Sequence, residues 1–268
     1  MSTSPHPADE PAFDTDDLVA AYAVADRAEP HLRVNFIASI DGAATHEGLS
    51  GGLNNAADKQ VFDTLRRLAD VVIVGAGTVR AEGYAAMRLA EEDGAWRRER
   101  GLPEHPVFAL VSARLALDPA SPVFTDAPAR PIVLTGAAAP EPQREALAEV
   151  ADVIVCEGPG SGPAGLAGQT AQVPGAGVPG GVDAHVMRRE LAARGLTQML
   201  CEGGPQLFGT LIGAGAVDEV CLTVSPVLEG GPAGRISSGG PQRTLGMRLA
   251  HVLSAGDMLF LRYQRRDA

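Results

Sequence analysis

Hydrophobic and polar positions change period along the chain, and each change marks an element. In LRVNFIASI (32–40) Val34, Phe36 and Ile40 suit a strand, stopped by the turn pair Asp41-Gly42. In AADKQVFDTLRRLA the residues Val61, Phe62, Leu65, Leu68 and Ala69 recur at helical spacing, with Asn54 or Asn55 placed to cap the start. Val71 to Val74 is apolar throughout and predicts a buried strand, as do Val107 to Val111, Pro131 to Leu134 and Val153 to Cys156, with a helix over Pro142 to Glu149. Helical spacing resumes from Asp183 to Leu191. LTQMLCEGG (196–204) then reads as a strand meeting glycines, and Pro205 suits the first position of a helix whose apolar face is Leu207, Phe208, Leu211 and Ile212. The last two strands, in VDEVCLTVSPVL (217–228) and DMLFLRYQ (257–264), have no clear helix between them. Strands alternating with helices predict an α/β fold: a mixed, mostly parallel sheet with antiparallel C-terminal strands.

Residues 1–30 read as a flexible N-terminal extension with a short helix around Leu18 to Ala25, and 31–268 as one domain. Within that domain, Arg80 to Glu104 reads as a polar, arginine-rich segment, and 157–182, rich in glycine and proline, as a surface loop.

Composition narrows the function. The 33 acidic side chains outnumber the 22 basic ones, and a net charge of -11 repels a phosphate backbone, so nucleic acid is not an expected partner. No apolar run is long enough for a membrane span and the first residues are acidic, so no membrane association and a cytoplasmic location are expected. Cys156, Cys201 and Cys221 each lie in an apolar, strand-like run and read as buried thiols. Lys59 is the only lysine. A phosphate-binding G-K-[ST] loop is therefore absent, and phosphate recognition falls to arginines and backbone N–H groups. The histidines show no metal-binding spacing and no nucleophile elbow is present, so no metal is expected and hydrolase chemistry finds little support.

Three strand ends deliver glycine or small polar residues: Ser39-Ile40-Asp41-Gly42, Gly75-Ala76-Gly77-Thr78 and Glu202-Gly203-Gly204. In parallel α/β sheets the ligand crevice lies beyond the carboxyl ends of the strands, so the three are expected to converge on one site. Gly203-Gly204 directly before Pro205 suits a helix start that presents free N–H groups to a phosphate. Thr78 either donates its hydroxyl to that phosphate or caps the next helix. Arg66, Arg80 and Arg88 are candidates for a phosphate clamp. Asp41 and Glu202 are the nearest carboxylates. Asp41 suits turn chemistry, whereas Glu202, ending a buried strand, needs a partner and could accept hydrogen bonds from a heterocycle.

With those residues in hand, Ala38-Ser39-Ile40-Asp41-Gly42, Arg66 ahead of Asp70-Val71-Val72-Ile73-Val74-Gly75-Ala76-Gly77-Thr78, Cys201-Glu202-Gly203-Gly204 and Val217-Asp218-Glu219 together resemble the reductase domain of the bifunctional riboflavin-biosynthesis deaminase/reductase, of dihydrofolate-reductase-like fold. The zinc-ligand cluster of the deaminase half has no counterpart here, which is similar to stand-alone pyrimidine reductases. The resemblance implies NADPH-dependent reduction of 5-amino-6-(5-phosphoribosylamino)uracil. It further implies NADPH contacts at Ala38, Gly75, Gly77, Thr78, Arg80, Glu82, Gly203, Gly204 and Pro205, with Arg80 the candidate for the 2′-phosphate. Substrate contacts are implied at Ser50, Arg66, Arg88 and Glu202, a proton from Asp41, Glu202 or water, and a homodimer packed through its sheets. A pterin such as dihydrofolate is the alternative substrate, and a non-catalytic NADPH-binding protein the alternative of another class.

Overall fold

The computed structural model describes residues 12–158 and 181–266. Its strands are β1 (His31–Ser39), β2 (Val71–Gly75), β3 (Val107–Val111), β4 (Ile132–Thr135), β5 (Asp152–Val155), β6 (Gln198–Cys201), β7 (Glu219–Ser225), β8 (Met247–Ala255) and β9 (Met258–Arg265). Its helices are α1 (Thr15–Tyr22), α2 (Ala56–Leu68), α3 (Ala76–Glu82), α4 (Glu91–Glu99), α5 (Pro122–Thr125), α6 (Glu141–Ala148), α7 (Ala184–Ala192) and α8 (Pro205–Ala214), with one 3-10 turn at Ser50–Leu53.

All nine strands form one sheet in the order β5-β4-β3-β2-β6-β1-β7-β9-β8. Pairing is parallel from β5 through β7, and β9 and β8 close the edge antiparallel. Val71 to Val74 are fully buried because both faces of the parallel region are covered, the usual condition for such strands. One apolar layer joins Leu18 and Tyr22 of α1 and Ala57, Val61 and Leu65 of α2 to the sheet; the other joins Val186, Met187 and Leu191 of α7 and Phe208 and Leu211 of α8. Asn55 caps α2 by accepting from the Asp58 amide, and Pro205 opens α8.

Two expectations change. The extension assigned to 1–30 joins the fold from residue 12 onward: Asp14 caps α1, and Leu18 and Tyr22 enter the core, because α1 presents an apolar face to α2; residues 1–11 lie outside the described residues. The arginine-rich segment contains α3 and α4, and its charges are used inward. Arg97, 1% exposed, donates to the carbonyls of Pro103, Arg67 and Ala69, and burial draws its pKa down to about 10. Arg67 pairs with Asp93, which locks α4 onto α2. Of the expected surface loop, 159–180 lies outside the described residues.

At the antiparallel edge, Glu219 is fully buried between Arg33 on β1 and Arg262 on β9. Burial alone would raise its pKa, but Arg33, His31 and Arg262 outweigh that and hold it well below the usual carboxylate range. Asp218 accepts from the Leu32 amide and pairs with Arg188 and Arg265. The Val217-Asp218-Glu219 block thus fastens the frame. The three cysteines are free and buried, and desolvation pushes each thiol up to about 12. Among the described residues no helix is long and apolar enough to cross a membrane.

Candidate active site

The carboxyl ends of β1, β2 and β6 are neighbours in the sheet, so two of the three glycine-bearing strand ends meet directly. The Gly75 amide donates to the Gly203 carbonyl at 2.8 Å, and a Cβ built on Gly204 would fall 2.3 Å from Thr78 Oγ1. Any side chain at Gly204 would push the Thr78 hydroxyl out of place. Helices α3 and α8 both start here without a side-chain cap, leaving first-turn N–H groups for a ligand. They open on a cavity of about 630 Å³ lined by Gly75, Gly77, Thr78, Gly204, Pro205 and Ser238, among others. A Cβ at Gly77 would meet nothing within 4 Å, so the backbone there is open to a close-lying group. No lining residue of this cavity is charged among the described residues.

A second cavity, of about 510 Å³, shares Gly77, Thr78, Gly204 and Pro205 with the first and extends over α2. Its wall is polar in places: Asn35, Ser50, Asp58, Lys59, Glu82 and Tyr84 contribute, and Phe36 and Phe62 supply apolar faces. Both volumes are in the usual range for small-molecule sites. The Ser50 amide donates to Glu82 Oε1 at 3.0 Å, which ties the 3-10 turn to the end of α3.

Glu202 has found its partner. Arg66 Nε and Nη2 donate to its two oxygens at 2.6 and 2.7 Å, and the Tyr84 hydroxyl donates to Oε2 at 3.1 Å. The Arg66 guanidinium lies 4.1 Å above the Phe62 ring. Burial, followed by the neighbouring Glu202 charge, raises the pKa of Tyr84 far above its ordinary value, so the phenol stays protonated and donating. The pair expected to split between substrate phosphate and heterocycle is instead joined to itself, and Glu202 reaches the cavity only as an edge of that network.

Other expected residues sit elsewhere. Asp41 accepts from the Ser39 hydroxyl at 2.5 Å and from the amides of Glu229 and Gly230; with the Ser39 bond leading, these lower its pKa to about 2. With these three bonds Asp41 anchors the loop at 229–230, and it lines neither cavity. Arg80 donates to the Ala116 carbonyl and Arg88 to that of Asp126, both from exposed positions off the cavity walls. Ala38 is buried within β1, and neither it nor Gly203 lines either of these two cavities.

Several lining residues of the smaller cavity were missed as site residues, among them Phe36, Phe62, Tyr84 and the charged Asp58 and Lys59. Asp58 carried a readable signal: it stands three residues before Val61 and seven before Leu65, so the helical period places this carboxylate on the apolar stripe. Lys59 follows it at the cavity mouth, its side chain 69% exposed and 2.6 Å from Asp63.

Known proteins agree with this architecture. A family model described as the RibD C-terminal domain matches residues 30–261. A curated relative, the 2,5-diamino-6-ribosylamino-4(3H)-pyrimidinone 5′-phosphate reductase of Archaeoglobus fulgidus, is 26% identical over 203 residues, 75% of this chain and 83% of that protein. The riboflavin biosynthesis protein RibD of Mycobacterium tuberculosis is also 26% identical, over 76% of this chain, but this chain spans only 44% of it. Among solved structures, a pyrimidine reductase-like protein from Corynebacterium diphtheriae superposes with a TM-score of 0.78 at 25% identity, covering 96% of this chain and 100% of that one.

Proposed function

The chain belongs to the RibD C-terminal domain family, and from that premise we propose that it is an NADPH-dependent reductase of a ribosylaminopyrimidine 5′-phosphate, opening the ribose to a ribityl chain. The observation that carries this reading is the shared boundary of the two cavities at Gly77, Thr78, Gly204 and Pro205. It sets a glycine-walled, uncharged cleft against a polar, aromatic-walled one, as a dinucleotide beside a heterocycle requires.

The residues present fit a nicotinamide dinucleotide. Uncapped first turns of α3 and α8, the open backbone at Gly77 and the Thr78 hydroxyl face the larger cavity. These groups would hold its pyrophosphate through N–H and O–H donors. The cofactor, when bound, supplies a hydride. NADPH in place of NADH rests on the family resemblance, because Arg80 is turned to Ala116.

In the smaller cavity Phe36 and Phe62 offer faces to a planar ring. Lys59 is the one fixed cation among its described lining residues, and we assign it the substrate phosphate in place of Arg66 and Arg88. The Arg66–Glu202–Tyr84 network holds the wall rigid. The bonds to Ser39, Glu229 and Gly230 that lower the Asp41 pKa favour water over Asp41 as the proton source.

The function is tested by following NADPH oxidation with the 2,5-diamino-pyrimidinone substrate, the 5-amino-uracil substrate and dihydrofolate. Turnover of either phosphoribosyl pyrimidine is expected. Turnover of dihydrofolate alone would move the protein to the pterin alternative, and tight NADPH binding with no turnover to the non-catalytic one.

A homodimer is part of the same proposal. Strand β8 is an edge carrying exposed Leu249 and Val252 beside Leu259 of β9, an apolar rim that natural sheets usually cover. Gel filtration at the monomer volume would refute it.

A further inference from the structure

Asp58 lies in the first turn of α2 and on the wall of the smaller cavity, yet the residue is only 8% exposed. The Thr223 hydroxyl, from β7, donates to its carboxyl. No ion pair forms at Asp58 among the described residues: the two cations on its helix that face this region, Lys59 and Arg66, are paired with Asp63 and Glu202. A buried carboxylate served by one neutral hydroxyl leaves most of its lone pairs without a donor, which is costly unless a ligand completes the set.

Its surroundings define that ligand. Neutral Asn35 and Asn54 and the rings of Phe36 and Phe62 share the wall, which suits a flat, hydrogen-bonding ring. We propose that Asp58 reads the C2 edge of the substrate pyrimidine and selects a ring bearing a 2-amino group beside a ring N–H over the 2-oxo ring of the aminouracil. The inference rests on the reductase reading above and deepens it.

The chemistry is donor–acceptor matching. An ionised carboxylate has acceptors only. The 2-amino group and the adjacent N3–H of the diamino-pyrimidinone present two parallel donors to it, a charge-assisted bidentate pair. The uracil presents one N–H and one carbonyl, so one carboxylate oxygen faces another acceptor unless Asp58 takes up a proton. Burial does raise the pKa of Asp58, which brings that protonated form closer to the working range. Preference for the diamino ring therefore grows as pH rises through the Asp58 pKa. The other charged or titratable groups facing the cavity are Lys59 on α2, Glu82 on α3, Tyr84 after it and the Glu202–Arg66 pair at the end of β6. Thr223 on β7 is neutral.

The experiment is a comparison of kcat/KM for the two pyrimidines with the full chain and with Asp58→Asn. The unaltered protein is expected to prefer the diamino ring by about 10- to 100-fold, the range for one mismatched polar edge in a built site. The amide of Asp58→Asn offers one donor and one acceptor, so the preference should reverse. Urea unfolding of the variant checks its fold. Should it not fold, Thr223→Val, which removes only the supporting hydroxyl, should reduce the preference severalfold. Turnover of both substrates without preference, or an equal loss for both in the variant, overturns the role of Asp58 while leaving the reductase reading intact. Turnover of neither overturns the reductase reading itself.

Discussion

Glu202→Gln separates the two roles open to this residue. If Glu202 mainly binds substrate, the change weakens turnover and leaves stability alone; the ion pair with Arg66 predicts a loss of stability instead. The Glu202 side chain is 2% exposed and that of Arg66 18%, and three hydrogen bonds converge on the carboxylate, two of them from the guanidinium. Glutamine keeps one acceptor oxygen but turns an N–H₂ toward the Arg66 donors, leaving the guanidinium without a counter-charge. Breaking a fully buried pair costs about 3–5 kcal/mol; because Arg66 retains some solvent, we discount this to about 2–3 kcal/mol. Urea titration should show that loss at unchanged m. Arg66→Met combined with Glu202→Gln should recover part of it, because the stranded charge is gone, giving a coupling energy of at least about 1 kcal/mol. The reasoning is refuted if Glu202→Gln changes stability by less than about 0.5 kcal/mol while kcat/KM falls a hundredfold.

Three further outcomes follow from the same geometry. Gly204→Ala drives a Cβ into Thr78 Oγ1 at 2.3 Å, whereas Thr78 Cβ stays at 3.7 Å; the variant should lose NADPH affinity roughly tenfold or more by calorimetry, and Thr78→Ala added to it should restore packing, so additive losses would contradict the contact. Lys59→Ala should raise KM for the phosphorylated pyrimidine and leave that of its dephosphorylated form unchanged, with stability within about 0.5 kcal/mol because its pair with Asp63 is exposed; equal effects on both substrates would remove it from phosphate binding. Glu219→Gln strands Arg33 and Arg262 and should cost about 3–5 kcal/mol in urea unfolding. Since the folded pKa of Glu219 is depressed, its contribution is present above the ordinary carboxylate range and is lost as pH falls below it, so the variant should show a shallower acid limb; an unchanged limb would count against the network.

Local pattern carried the frame well. Val71 to Val74 and Val107 to Val111 are strands because consecutive apolar residues need both faces covered, and Pro205 and Asn55 mark helix starts by mechanisms confined to a few residues. The antiparallel edge was legible in character, but β8 was not, because its residues are mostly exposed and show no apolar alternation. The site was harder to read. Which carboxylate Arg66 meets is decided across 136 positions, and no spacing rule reaches that far. Asp41, Arg80 and Arg88 flank the right turns, yet backbone carbonyls and amides 36 to 189 positions away claim them, which local pattern does not reveal. The glycines at Gly75 and Gly204 were placed by sequence because close approach of neighbouring atoms leaves a residue-type signature. Asp58 left one too, a charge on an apolar stripe.

The central claim is hydride transfer between the two joined cavities, and isotope transfer tests it directly. With NADPH deuterated at C4 of the nicotinamide and the 2,5-diamino-pyrimidinone substrate, mass spectrometry and NMR of the product should find one deuterium per turnover on the ribityl carbon bonded to nitrogen. Product without label at that carbon, or label on the heterocyclic ring, would contradict the account.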